Sequence, residues 1–185
     1  MRKIDFAKLV FNNWLTKLRI AAIKLSGGVA CKGVYKFIVT NKVTGKQREY
    51  VYENLVPTIG RAAIADQIAG VNSAELEAIS VEIGTGTTAP ANGDTAMETP
   101  TNRKAILSAA TSSNVATVST NFTVGDLALG GTTIFREAGI IADGSAVTTQ
   151  AAVVGGTGIL LSRVAINVSV TVVEALTVEF TFTIT

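Results

Sequence analysis

Histidine is the side chain that most often moves protons near neutral pH, and this chain has none; it also has a single cysteine, Cys31. A Ser-His-Asp triad, a Cys-His dyad or a His-rich metal site therefore cannot be built from one copy. Carboxylates remain. Glu75 and Glu77 lie close together in sequence, as do Glu174 and Glu179. A glycosidase pair needs a defined separation across a cleft, which neither spacing supplies, so these four read as solvated surface charge. Asp94, Asp126 and Asp143 each adjoin a glycine. The Asp-x-Asp-x-Asp-Gly pattern of a calcium loop is missing, which leaves turn formation and capping as their expected roles. With no histidine to activate it, Cys31 reads as a small buried or half-buried residue. Arg136-Glu137 has two readings, an exposed pair or a buried pair that fixes a subunit contact. No enzyme activity, cofactor or metal is expected.

The segment Gly84-Thr-Gly-Thr-Thr invites a phosphate assignment. A dinucleotide fingerprint needs a third glycine in register and a helix directly after it. A Walker loop needs Gly-Lys followed by Ser or Thr at a helix start. Pro90 and Gly93 oppose a helix here and no lysine follows, so the segment reads as a structural turn.

The elements that must carry these residues are mostly strands. The expected strands are Val34 to Thr40, Gln47 to Tyr52, Ala78 to Ile83, Asn102 to Ser108, Val115 to Thr123, Thr132 to Ile141, Ile159 to Val173 and Leu176 to Thr185. Asn41 to Gly45 has the chemistry of a hairpin turn. The last strand alternates most cleanly: Leu176, Val178, Phe180, Phe182 and Ile184 fall on one face and threonines dominate the other. One internal helix is expected over Ile59 to Ala69, capped by Thr58, stopped by Gly70, with Ile64 and Ile68 on its apolar face. Gly84 to Thr95, Gly125 to Gly131 and Asp143 to Gly158 read as connectors. About eight short strands at close spacing imply a mainly β fold, an antiparallel β-sandwich of jelly-roll-like type over residues 29–185. The 24 threonines agree, since a β-branched residue with a hydroxyl suits a strand face turned to solvent or to another subunit.

The net charge of +2 conceals a division. Through Lys32 there are seven basic residues against Asp5, a net of +6; the remainder has nine basic and thirteen acidic residues, a net of −4. The basic arm, residues 1–28, reads as an amphipathic helix. Ile4, Phe11, Leu18 and Leu25 recur every seven residues, with Trp14 and Leu15 beside them. Phe6, Leu9, Val10, Ile20 and Ile23 occupy the opposite side, and a helix apolar on most sides expects more than one neighbour. Packing on its own body, insertion into another subunit, and binding to a membrane surface or nucleic acid all remain open for it. The partner-binding candidates are Ile4, Phe11, Trp14, Leu15 and Leu18, with Trp14 the natural anchor. Lys17, Arg19 and Lys24 break the apolar run that an export leader requires, and no stretch of 18 apolar residues offers a membrane span. The acidic, aromatic-poor body has little to offer a nucleic acid.

Four stretches in order are Tyr50-Val-Tyr-Glu-Asn-Leu-Val-Pro-Thr-Ile-Gly-Arg61, Ile83-Gly-Thr-Gly-Thr-Thr-Ala-Pro-Ala-Asn-Gly-Asp-Thr-Ala96, Phe135-Arg-Glu-Ala-Gly-Ile-Ile141 and Leu160-Leu-Ser-Arg163. Together with the terminal alternating strand, this series resembles small β-rich structural proteins of tailed bacteriophages, of the tail, collar, baseplate or fibre-associated type. The resemblance covers roughly residues 34–185 and leaves out the arm. It implies a non-catalytic virion subunit present in symmetric copies, assembled in the host cytoplasm, with other virion proteins and copies of itself as partners. It implies no small-molecule substrate. Two alternatives are a capsid decoration protein and a carbohydrate- or cell-surface-binding module; the latter is disfavoured because the loops at 84–96 and 143–158 lack aromatics.

Overall fold

The computed structural model describes residues 31–71, 76–143, 151–152 and 157–184. The arm at 1–28 lies outside the described residues, and with it Ile4, Phe11, Trp14, Leu15 and Leu18.

Among the described residues, ten strands form two antiparallel sheets. They are β1 (Cys31–Asn41), β2 (Gln47–Glu53), β3 (Ala78–Gly84), β4 (Pro100–Ala105), β5 (Ser108–Ser112), β6 (Val115–Phe122), β7 (Thr133–Ala142), β8 (Ala151–Ala152), β9 (Ile159–Val170) and β10 (Glu174–Ile184). One sheet has the order β2-β1-β10-β6-β5 and the other β8-β4-β3-β7-β9. Among the described residues two helices interrupt them, α1 (Thr58–Ala69) and the single turn α2 (Val124–Leu127).

The alternating pattern of β10 places Leu176, Val178 and Phe180 in the core, against Tyr35, Phe37 and Val39 of the neighbouring β1. Val81 and Ile83 of β3 and Val164, Ile166, Val168 and Val170 of β9 join the same cluster, so both sheets share one core. The threonines of β10 sit on the other face, where Thr117 lies 3.5 Å from Thr181 and the Asn121 amide donates to Thr177 at 2.7 Å.

The hairpin turn works through Asn41, whose side-chain oxygen accepts from the amides of Val43 and Thr44 at 3.0 and 2.8 Å. Gly45 then takes the left-handed backbone, φ 72°, which a residue without Cβ adopts freely.

Several expectations are corrected. The stretch Asn102 to Ser108 is not one strand. The chain changes sheet between Ala105 and Ser108, giving β4 and β5. Gly125 to Gly131 holds a helical turn with a capping box, in which the Asp126 amide donates to Thr123 Oγ1 and the Thr123 amide to Asp126 Oδ2. Helix α1 begins one residue early. Thr58 lies inside it, and the N-cap position is Pro57, which makes no side-chain cap. Gly70 closes the helix in the left-handed conformation as expected, φ 65°. Its buried face is Gly60 and Ala63, whereas Ile68 is 83% exposed. The reason is a close approach: a Cβ on Gly60 would sit 2.7 Å from the Leu161 carbonyl oxygen. Cys31 is exposed, at the very start of β1.

Candidate functional site

Around Glu82, Arg103, Glu137 and Arg163 the second sheet is buried on both faces, and its outer face there carries the charge. A register shift between Phe135 and Glu137 makes this possible. Phe135 faces the shared core, yet so do Ala138 and Ile140. The extra residue of the bulge reverses the alternation. Glu137, Gly139 and Ile141 are thereby turned to the outer face, and Arg136 is left in solvent. Glu137 is thus a buried partner, as one reading of Arg136-Glu137 expected, but its partner is Arg163 rather than Arg136.

Glu137 is 1% exposed and fully engaged. Arg163 Nη2 and Nε donate to its Oε2 at 2.9 and 3.2 Å. Three backbone amides of the 84–99 loop converge on the same carboxylate: Gly86 at 3.3 Å, Thr99 at 2.6 Å and Glu98 at 3.0 Å. The glycine-rich loop does cradle an anion, and the anion is the chain's own. Gly84 and Gly86 are required by this approach, since a Cβ on Gly86 would lie 2.5 Å from Glu137 Oε1 and one on Gly84 2.3 Å from the Thr99 carbonyl oxygen.

Arg163 also ties down the far end of the loop. Its Nη1 donates to Asp94 Oδ2 at 2.6 Å and its Nη2 to the Thr88 carbonyl at 3.2 Å. Asp94 meanwhile accepts from the Ala91 amide at 2.8 Å, the turn role expected of it. That amide and the Arg163 cation hold the Asp94 carboxyl below its ordinary value against the cost of burial. Burial works against the Arg163 cation as well, but Asp94 and Glu137 outweigh it and its pKa rises.

Beside this cluster lies a second buried pair. Arg103 Nε is 2.7 Å from Glu82 Oε1, a charge contact without hydrogen-bond alignment, and Arg103 Nη1 donates to the Thr157 carbonyl at 3.1 Å. Desolvation raises the Glu82 pKa in spite of Arg103. An apolar lid covers the rest of this face: Met97 from the loop, Ile141, Leu160 and, from α1, Ile59. Gly139 makes room for it, since a Cβ there would meet Met97 Sδ at 2.9 Å.

A carboxylate that is desolvated and bonded by five donors has no free lone pair to offer a substrate and no route to one. The arrangement clamps a loop onto a sheet. Of the four carboxylates read as solvated surface charge, Glu174 is corrected. It is 5% exposed, accepts from the Thr171 amide at 2.9 Å and pairs with Arg48 at 3.0 Å. Glu75 lies outside the described residues.

The outer edge of β9 is closed by the segment from β2 to α1. Arg48 donates to the Ser169 carbonyl at 2.9 Å, the Asn167 amide donates to Tyr52 Oη at 3.1 Å, and Leu55 exchanges backbone bonds of 2.9 and 3.0 Å with Arg163. Such covering removes an edge as a template for foreign strands. Edge strand β5 is different. Its five residues, Ser-Ala-Ala-Thr-Ser, are all exposed and uncharged. Next to it opens an apolar groove of about 600 Å³ lined by α1, by strands of both sheets and by the link between β4 and β5, including Ile64, Leu107, Ala109, Val118, Phe180 and Phe182. Ile64, expected on the apolar face of α1, borders this groove.

No group of His, Cys, Asp and Glu suited to a metal ion occurs among the described residues, and no helix among them is long and apolar enough to cross a membrane. No family model, no curated protein and no solved structure matches this chain.

Proposed function

We propose that the chain is a non-enzymatic structural subunit of a tailed bacteriophage particle, in the tail, collar or baseplate region, present in symmetric copies and attached through its N-terminal arm. The observation that carries the reading is a convergence. Three of the sequence stretches that resemble phage structural proteins are far apart in the chain: the 84–96 loop, the strand holding Glu137 and Gly139, and the first residues of β9, Leu160-Leu-Ser-Arg163. They interlock at one buried cluster through Glu137, Arg163 and Asp94. The fourth stretch joins them through Leu55, which pairs with Arg163, and Gly60, which abuts Leu161. The resembling motifs thus describe one folded unit rather than scattered turns.

The finer reading of the fold belongs to the same proposal: the two sheets are the layers of a jelly-roll-like sandwich. One core drawn from both sheets and four crossings of the chain between them, after β2, β4, β6 and β9, support it. The experiment is quantitative mass spectrometry of particles purified from cells that express the chain with the rest of its genome. A fixed, symmetric copy number per particle is expected. A chain absent from particles and free in the lysate would overturn the proposal.

A further inference from the structure

We infer that the apolar groove beside β5 is the seat of the chain's own N-terminal arm, which folds back onto the body in the free subunit. This deepens the attachment reading by naming the site that takes the arm, but it stands on the groove and the arm and needs no particle.

Three observations carry it. The first is position. Strand β1 begins at Cys31, and two residues later Gly33 is in register with Phe182, a residue of the groove wall. The chain therefore enters the body beside the groove. Between Leu25 and Cys31 lie residues 26–30, Ser-Gly-Gly-Val-Ala, which extend to about 17 Å. That is long enough to reverse direction and too short to carry the arm's last turn far away. The second is chemistry. The groove is mainly apolar, about 600 Å³ in volume, and its rim leaves Leu107 64% exposed. The arm supplies Phe11, Trp14, Leu15 and Leu18 on one helical stripe, large side chains of the kind that fill such a groove. The third is charge. The arm, residues 1–28, carries a net +5 and the remainder a net −3, with Glu77 at the groove itself.

Tethering decides which copy's arm arrives. A short linker holds the arm at an effective concentration in the millimolar range, far above that of free neighbours in dilute solution. In an assembly the same contacts are open to exchange between adjacent copies, as in a domain swap.

Trp14 is the only tryptophan, so its fluorescence reports the arm alone. In the purified full-length chain Trp14 is expected to emit to the blue of a free indole, to resist acrylamide quenching, and to keep both properties on dilution through the micromolar range. Leu107→Asp, at an exposed position, and Phe11→Asp, on the arm, are each expected to shift emission to the red and raise the quenching constant severalfold, with the far-ultraviolet β signature retained. Three results would overturn the inference: solvent-exposed Trp14 in the unaltered chain, protection indifferent to Leu107→Asp, or protection lost on dilution, which would assign the groove to a second copy's arm. Particle incorporation is measured separately, so failure here and failure of the virion reading are distinguishable.

Discussion

Arg163 holds Glu137 at 2.9 Å on the outer face of the second sheet, with both side chains almost fully desolvated. The pair sits where strands β7 and β9 meet the 84–99 loop, and each partner bonds a different part of that loop. Glu137 collects the amides of Gly86, Glu98 and Thr99, while Arg163 reaches Thr88 and Asp94. The consequence is a long Gly- and Thr-rich connector held against the sheet by charge rather than by apolar contacts alone.

Removing one partner strips the other of a buried opposite charge, a loss of at most about 3–5 kcal/mol, because Arg163 keeps Asp94 and Glu137 keeps three backbone amides. Glu137→Gln and Arg163→Met are each expected to lower stability by up to that amount in urea denaturation. The double variant is expected to cost clearly less than the sum of the two. Strict additivity would mean that the pair is not coupled.

Two of the loop's three glycines separate a tight site from an open one. Gly86→Ala pushes a methyl group against Glu137 and Glu98, an overpacking expected to cost about 1–3 kcal/mol. Gly93→Ala meets nothing within 4 Å and is expected to stay within about 0.5 kcal/mol of the parent. Thermal denaturation of the two variants side by side checks the contrast.

Acid should loosen the fold, and the sign follows from linkage. Four carboxylates, Asp94, Glu98, Asp126 and Glu174, titrate below their ordinary values when folded. In Glu98 the Thr88 amide is the largest cause. In Asp94 the Ala91 amide is the largest cause. In Asp126 and Glu174 burial opposes the shift but is outweighed, by Lys104 and Thr123 in one and by Thr171 and Arg48 in the other. Their contribution is full above the ordinary values of 3.8 for aspartate and 4.5 for glutamate and is lost as pH falls through the lower folded values. Glu82 runs the other way, since burial raises it and protonation relieves its desolvation. The urea midpoint is expected to fall as pH drops below about 4.5, and Asp94→Asn to flatten that slope. A midpoint that rises on acidification would show Glu82 to dominate.

Tyr52 guards the β9 edge through one hydroxyl. Tyr52→Phe is expected to cost about 1 kcal/mol and to speed hydrogen exchange at the Asn167 amide, which donates to that oxygen. Unchanged exchange at Asn167 would show that the edge is covered by other means.

Most strands were legible because one face of each is apolar: β10 alternates from Leu176 to Phe180 as its burial does. The charge cluster was not. Its residues are about 70 positions apart at the extremes, Asp94 and Arg163, and the bulge that turns Glu137 away from Phe135 leaves no mark in a period-two pattern. The signal available was the glycine pair Gly84 and Gly86, whose missing side chains point to something approaching closely. The break between β4 and β5 was hidden for a related reason: Asn102 to Ser108 has no glycine or proline to mark a change of sheet. The face of α1 misled because Gly60 and Ala63, and not its isoleucines, permit the close approach to β9.

The central claim, a virion subunit attached by its arm, is tested most directly by copy number. Particles carrying the unaltered chain and particles carrying Phe11→Asp with Leu18→Asp are purified and the protein is quantified against a known capsid component. The account predicts a fixed symmetric number of copies for the unaltered chain and a fall to background for the variant, whose soluble form keeps its β fold. Full occupancy by the variant, or no copies of the unaltered chain in the particle, would contradict it.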